Sequence, residues 1–109
     1  MANYVVSYSS KFKSASCTSL VAARQDVVER LFGGRVKAVA TIKKDGKIVE
    51  RIYPNRIPDD EDIVMPVFVA VDVASGRMRG VTADGTVYRM GAEETQAARR
   101  IIGYAKKRR

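Results

Sequence analysis

One stretch, residues 64–90, constrains the fold of this chain more than any other. It reads VMPVFVAVDVASGRMRGVTADGTVYRM, and the pairs Ser75-Gly76 and Asp84-Gly85 divide it into three apolar runs. Runs rich in β-branched residues and separated by glycine-containing pairs are typical of β-hairpins. The stretch therefore predicts a three-stranded antiparallel meander.

The first run of this meander is apolar at every position but one. Between Val67 and Val73, only Asp72 is polar. A strand that is apolar on both faces is normally covered on both faces, so we expect it to belong to the core of the sheet. Two-residue turns would place Asp72 opposite Arg79. We expect the valine face of this strand to meet the helices.

The rest of the chain predicts two helices and three further strands. The predicted elements are a strand at Asn3–Tyr8, a loop over residues 9–18, a helix that begins at Thr18 or Ser19 and stops at Gly33-Gly34, a hairpin of Arg35–Lys43 and Lys47–Tyr53 around Asp45-Gly46, the meander, and a helix over Gly91–Arg109. The first helix has an apolar stripe of Leu20, Ala23, Val27, Val28, Leu31 and Phe32. The order β-α-β-β-β-β-β-α predicts a single α+β domain over residues 1–109. We expect a mostly antiparallel sheet with both helices packed on one face.

Positive charge is concentrated in the predicted C-terminal helix or tail, residues 92–109. The net charge of the chain is +8, and residues 99–109 contain six Lys or Arg side chains and no acid. The remaining 14 basic and 12 acidic residues nearly balance. The chain is therefore polarised rather than uniformly basic.

The basic segment predicts contacts with nucleic acid, DNA or RNA. Lysine and arginine neutralise phosphates, and a tyrosine can stack on a base. The candidate binding residues are Arg99, Arg100, Tyr104, Lys106, Lys107, Arg108 and Arg109, with Lys11 and Lys13 as helpers on either side of Phe12. The plain alternative is that the C-terminal cations only solvate the end of a helix and complement its dipole.

Catalytic chemistry is not indicated by the composition. The chain has no histidine and one cysteine, Cys17. It therefore lacks the usual acid–base residue of neutral pH and the ligand set of a zinc site. We expect a non-enzymatic protein without a metal or cofactor. A single thiol forms no internal disulfide, which favours a reducing, cytoplasmic location. No apolar run approaches the ~18 residues of a membrane-spanning helix, so we expect no membrane association.

An acidic run, Asp59, Asp60, Glu61 and Asp62, is open to three interpretations. It could be a solvated loop, a site for a hard cation such as magnesium, or a surface that docks a protein partner. Consecutive acids on a loop rarely converge on one point, which disfavours the metal.

The favoured function is a small nucleic-acid-binding module with weak sequence preference. The alternative is a small phage- or plasmid-type inhibitor or adaptor, analogous to anti-CRISPR proteins. It would bind a larger nucleic-acid-handling protein complex through Asp59–Asp62 and a sheet edge. An uncovered edge strand could also pair across a two-fold axis and give a homodimer. Tyr4, Tyr8, Tyr53 and Tyr88 fall on different strands, so we expect core or rim positions rather than a base-stacking platform.

Overall fold

Seven antiparallel strands form one sheet in the part of the chain that the structure describes. This computed structural model describes residues 3–9, 14–31, 38–55 and 67–107, with side chains as far as Tyr104. The elements are β1 (Tyr4–Tyr8), β2 (Ala15–Cys17), α1 (Leu20–Leu31), β3 (Ala40–Lys44), β4 (Lys47–Pro54), β5 (Phe68–Asp72), β6 (Met78–Val81), β7 (Val87–Tyr88) and α2 (Ala92–Lys107). Their order across the sheet is β2-β1-β3-β4-β5-β6-β7.

The α+β class and the order of the elements are confirmed, with one addition. Residues 15–17, which lie within the predicted loop, form β2 and pair with β1, where Val5 lies opposite Ser16. The addition gives the backbone groups on the outer side of β1 partners within the sheet. It also makes β2 one of the two edges of the described sheet.

The two helices lie on opposite faces of the sheet, and not on one face as predicted. On one face, α1 packs against Ile52 and Phe68, and we call this the α1 face. On the other, α2 packs against Tyr53 and Val69, and we call this the α2 face. Consecutive residues of a strand point to opposite sides, so a strand that is apolar at every position needs cover on both.

α1 begins where its sequence predicts and buries the predicted stripe. The Ser19 hydroxyl accepts a hydrogen bond from the Ala22 N–H at 3.1 Å, which makes Ser19 the N-cap. The buried residues Ala23, Val27, Val28 and Leu31 recur at helical spacing. The predicted stop at Gly33-Gly34 lies outside the described residues. Neither helix in the described chain has the length and apolar character needed to cross a membrane.

The β3–β4 hairpin contains a bulge that the sequence did not indicate. Its turn is the expected Asp45-Gly46 pair, with φ of 50° and 88°. Next to the turn, Lys43 faces Ile48, but further along Ile42 faces Glu50 because the register shifts between these two pairs. The extra residue on β4 places Glu50 on the α1 face, where its partner lies.

The predicted pairing of Asp72 with Arg79 is replaced by a register displaced by two residues. Ala70 faces Arg79, and Asp72 faces Glu50 across β4 and β5. The cause is the turn, in which the Asp72 carboxylate accepts hydrogen bonds from the N–H groups of Ala74 and Ser75 at 2.9 and 3.2 Å. An even displacement keeps each residue on its expected face.

The valine face of β5 meets α2, and its burial decreases along the strand. Val69 is fully buried, Val71 is half-buried, and Val73, beyond the strand, is 40% exposed. The most apolar contact between the sheet and α2 is therefore centred on Val69.

Replacing Val69 with alanine should lower the free energy of unfolding by roughly 1–3 kcal/mol, because apolar burial is lost and a void remains. Val73→Ala is the matched control and should change stability by less than about 0.5 kcal/mol. Urea denaturation of both variants measures the difference. Equal losses at the two positions would contradict the assigned packing.

Candidate nucleic-acid interface

α2 turns its arginines away from the sheet. Ala97, Ala98 and Ile101 are buried, so this side of the helix faces the α2 face of the sheet. Arg99 and Arg100 are exposed. The structure therefore places these two predicted phosphate ligands at the surface of a packed helix.

Several predicted site residues lie beyond what the structure describes. The helical backbone of α2 includes Lys106 and Lys107, but their side chains lie outside the described part. Arg108, Arg109, Lys11, Lys13 and the acidic run Asp59–Asp62 fall outside the described residues altogether. Tyr104 is half-buried on α2. The described part of the predicted interface is therefore Arg99, Arg100 and Tyr104.

Three arginines that the sequence analysis did not predict as binding residues, Arg77, Arg79 and Arg89, line a groove at the β7 edge of the sheet. The groove has a volume of about 570 Å³ and is lined by Arg77, Met78, Arg79, Val87, Tyr88, Arg89 and Met90. All three arginine side chains are exposed, and no acid is among the lining residues. We call this feature the arginine groove.

The arginine groove forms because β7 separates from β6 after only two residues. Gly80 pairs with Tyr88, and the turn beyond is closed by a hydrogen bond from the Thr82 N–H to the Thr86 carbonyl at 2.9 Å. Continuing the ladder would pair Met78 with Met90. No backbone hydrogen bond joins those two among the described residues, and Met90 is instead buried beneath α2. The gap between the separating segments is the groove.

Tyr88 ties the wall of this groove to α2. Its ring lies over Gly80, where an added Cβ would overlap the ring, so the strand needs glycine at that position. Its hydroxyl donates a hydrogen bond to Glu94 Oε2 at 3.1 Å, and burial together with this bond raises the pKa of Tyr88 to about 12. Tyr88 is therefore a rim residue held by the fold.

The other tyrosines also occupy core or rim positions. Tyr53 is buried against α2, and Tyr4 and Tyr8 are half-buried beside α1. The Tyr8 hydroxyl donates to Asp26 Oδ2 at 2.7 Å, and burial is the first cause of its raised pKa. The described tyrosines thus do not form a common stacking platform.

A two-point ion pair joins α1 to the sheet. Arg24 donates from Nε and Nη2 to the two carboxylate oxygens of Glu50, at 2.9 and 2.8 Å. Glu50 is 6% exposed and faces the like-charged Asp72 on β5, an arrangement that would be unfavourable without a cation. The hydrogen bond to Glu50 raises the pKa of Arg24 above its already high ordinary value, so the guanidinium stays charged.

Most acids of the described chain accept hydrogen bonds from other groups of the protein. The engaged acids and their donors are Asp26 with Tyr8 and Arg30, Asp45 with the Asn3 N–H, Glu50 with Arg24, Asp72 with two turn N–H groups, Asp84 with Thr82 and Thr86, and Glu94 with Tyr88. Glu29 and Glu93 are exposed. Within the described ranges, the ion pairs involve Arg24 and Arg30. The other described arginines face solvent, and no carboxylate of the described ranges forms an ion pair with them.

In the part of the chain that the structure describes, no group of three or more acidic or thiol side chains could hold a metal ion. Cys17 is a half-buried free thiol on β2, and burial raises its pKa, which lowers the thiolate fraction at neutral pH.

Comparison with protein-family models, with curated proteins and with solved structures gives no match to this chain. Its function is therefore inferred from the residues described above.

Replacing Arg24 with alanine should lower the free energy of unfolding by about 3 kcal/mol, because Glu50 is left buried without its partner. The double variant R24M/E50M should lose less, since it removes both charges. Arg30→Ala, which breaks a more exposed pair with Asp26, is the control and should cost no more than about 1 kcal/mol. Urea denaturation compares the three, and a loss in R24A no larger than in R30A would contradict the role of the pair.

Alkaline pH should weaken the fold through Tyr88. Its folded-state pKa of about 12 lies above the free value of about 10. The interaction is thus fully present below pH ~10 and is lost as pH rises towards 12. An ultraviolet absorbance titration of wild type and Tyr88→Phe should show one phenol fewer ionising near pH 12 in the variant. A difference centred near pH 10 would show that Tyr88 is not held as described.

Proposed function

We propose that this protein is a small, non-enzymatic nucleic-acid-binding module that contacts phosphates through exposed cations of α2. The observation that carries the proposal is the unequal use of charge in the described chain. Most described acids accept hydrogen bonds, from turn N–H groups, from Arg24 or from tyrosine hydroxyls. Arg99 and Arg100, in contrast, face solvent. A surface of this kind attracts polyanions.

Phosphate contact suits both the residue type and its position. The guanidinium group presents several N–H donors in a planar fork that matches two phosphate oxygens. Contacts to phosphates fix a protein on nucleic acid without reading its bases, so the sequence preference should be weak. The α2 helix packs its other side on the sheet, which holds the two arginines on a firm support.

A cytoplasmic location is part of this proposal. Cys17 is a free thiol, as expected for a reducing compartment.

The alternative, an inhibitor or adaptor of a larger nucleic-acid-handling complex, is favoured by a different observation. In the described chain, β2 lies at one edge of the sheet and pairs on one side with β1. Its outer side has no partner strand among the described residues and is open to one, from another protein or from a second copy of this chain. Nuclease treatment separates the two functions, because capture of a protein partner from a host lysate should survive it.

Binding to a labelled random oligonucleotide should weaken steeply with salt. Four to six phosphate contacts predict a slope of log K against log salt of roughly −3 to −5. Changing Arg99 and Arg100 to glutamine should flatten the slope by about 1.4–1.8, since each lost contact retains its counterions. Fluorescence anisotropy at two or more salt concentrations measures both quantities.

The matched control is K44Q/K47Q, which removes the same charge from exposed positions beside the β3–β4 turn. It should change the slope by less than half as much. Undetectable binding of wild type at low salt would overturn the proposed function. Equal slopes in the two double variants would overturn the role of α2.

A further inference from the structure

We propose that the arginine groove is a phosphate-ester site that holds one nucleotide unit of the bound nucleic acid. This inference rests on the proposed function and adds to it a second site, separate from α2. The site consists of the Arg77, Arg79 and Arg89 side chains together with the open backbone edge at Met78.

The fold brings the three arginines to one face of the sheet edge. Arg79 lies opposite Ala70, which is buried on the α1 face, and Arg77 is two residues away on the same side. Val87 packs on the α1 face as well, so Arg89, two residues later, projects to that side. Cations from both walls of the groove thus point towards the same space.

The backbone adds a donor to these guanidinium groups. The Arg77 carbonyl accepts a hydrogen bond from the Asp72 N–H at 2.9 Å, so it points towards β5. In a strand, the next N–H points the opposite way, which directs the Met78 N–H into the groove. Among the described residues, no backbone carbonyl accepts from it. An anionic oxygen in the groove would meet a neutral donor and three cations.

The acids that line the neighbouring cavity are already engaged. Arg77 and Arg79 also border a smaller cavity of about 200 Å³ that contains Glu50 and Asp72. Glu50 is held by Arg24 on two bonds, and Asp72 accepts from the N–H groups of its own turn. Neither acid forms an ion pair with Arg77 or Arg79 in the described chain. The two arginines are therefore available to an external anion.

The shape of the groove favours a nucleotide over an added peptide strand. An added peptide strand would need several consecutive residues of β6 with unpaired backbone groups. Since β7 already pairs with Gly80 and Val81, Met78 is the one described residue of β6 whose backbone is open on this side. The volume of about 570 Å³ exceeds that of one phosphate group and falls within the range of small-ligand pockets. Met78, Val87 and Met90 supply apolar lining for a sugar or base edge.

The same phosphate chemistry could come from a free nucleotide or from a nucleic acid chain, so the experiment uses both probes. Fluorescence anisotropy with a labelled oligothymidylate measures the chain. Titration with thymidine monophosphate, followed by NMR of the Met78 amide and the arginine Nε–H signals, measures the single unit. The test variant is R77Q/R79Q/R89Q, and the control K44Q/K47Q/R51Q removes equal charge from exposed positions on β3 and β4.

The groove variant should bind the oligonucleotide at least tenfold more weakly at low salt, with a slope flatter by about 1.4–2.7 for two or three lost contacts. The control should lose less than about threefold. The charge-preserving variant R77K/R79K/R89K should fall between wild type and the glutamine variant, because lysine lacks the planar fork. The monophosphate should shift the Met78 amide and groove arginine signals in wild type and in the control. In the groove variant, the Met78 amide signal should not shift.

The possible results distinguish failure of the groove proposal from failure of the proposed function. Equal weakening by the groove and control variants, with wild type binding normally, overturns the groove and leaves binding through α2 standing. Groove shifts with the monophosphate, but no binding of the oligonucleotide, support a nucleotide site and overturn the proposed function. Absence of both responses in wild type overturns both proposals. Amide spectra of every variant confirm that the fold is retained.

Discussion

Burial of β5 on both of its sides is the constraint on which the rest of the structure depends. Phe68 and Ala70 are buried with α1 residues on one face, while Val69 is buried with α2 residues on the other. No single layer of helices could cover such a strand, so the chain places one helix on each face. The strands on either side are then fixed by pairing: β4 and β6 flank β5 and share its two-sided cover. The positions of both helices follow from the apolar character of four consecutive residues, Phe68 to Val71.

The bulge in β4 has a consequence for the charge of the surface. It sets Glu50 on the α1 face, where Arg24 neutralises it and holds α1 to the sheet. The carboxylates of Asp45, Asp72 and Asp84 are also engaged, because each accepts a hydrogen bond from a backbone N–H that needs an acceptor. The fold therefore uses most of its described acids in hydrogen bonds and leaves six described arginines exposed and outside the ion pairs of the described chain, namely Arg51, Arg77, Arg79, Arg89, Arg99 and Arg100.

The sequence was sufficient where the determinant is local. Alternating β-formers, the Asp45-Gly46 turn and the Ser19 cap each act within a few residues, and so the elements could be predicted, as could the exposure of Arg99 and Arg100. Register was not predictable, since the β4 bulge and the Asp72 turn depend on which bonds the folded chain completes. The arginine groove depends on Met90 leaving the sheet for the core, a tertiary event with no pattern of its own in the sequence.

The groove and α2 are parts of one packed unit, and this bears on how they would act together. Tyr88 lines the groove and donates to Glu94 in the first turns of α2, while Met90 lies in the same core cluster as Ala98 and Ile101. Arg89 lies between Tyr88 and Met90. Movement of its backbone would therefore disturb the contacts that hold α2 to the sheet. The groove and α2 would, on the proposed function, contact a single nucleic acid chain together, and the first contact would raise the effective concentration for the second. On the proposed function, modest individual contacts at the sheet edge and on α2 would add to an affinity that neither surface provides alone.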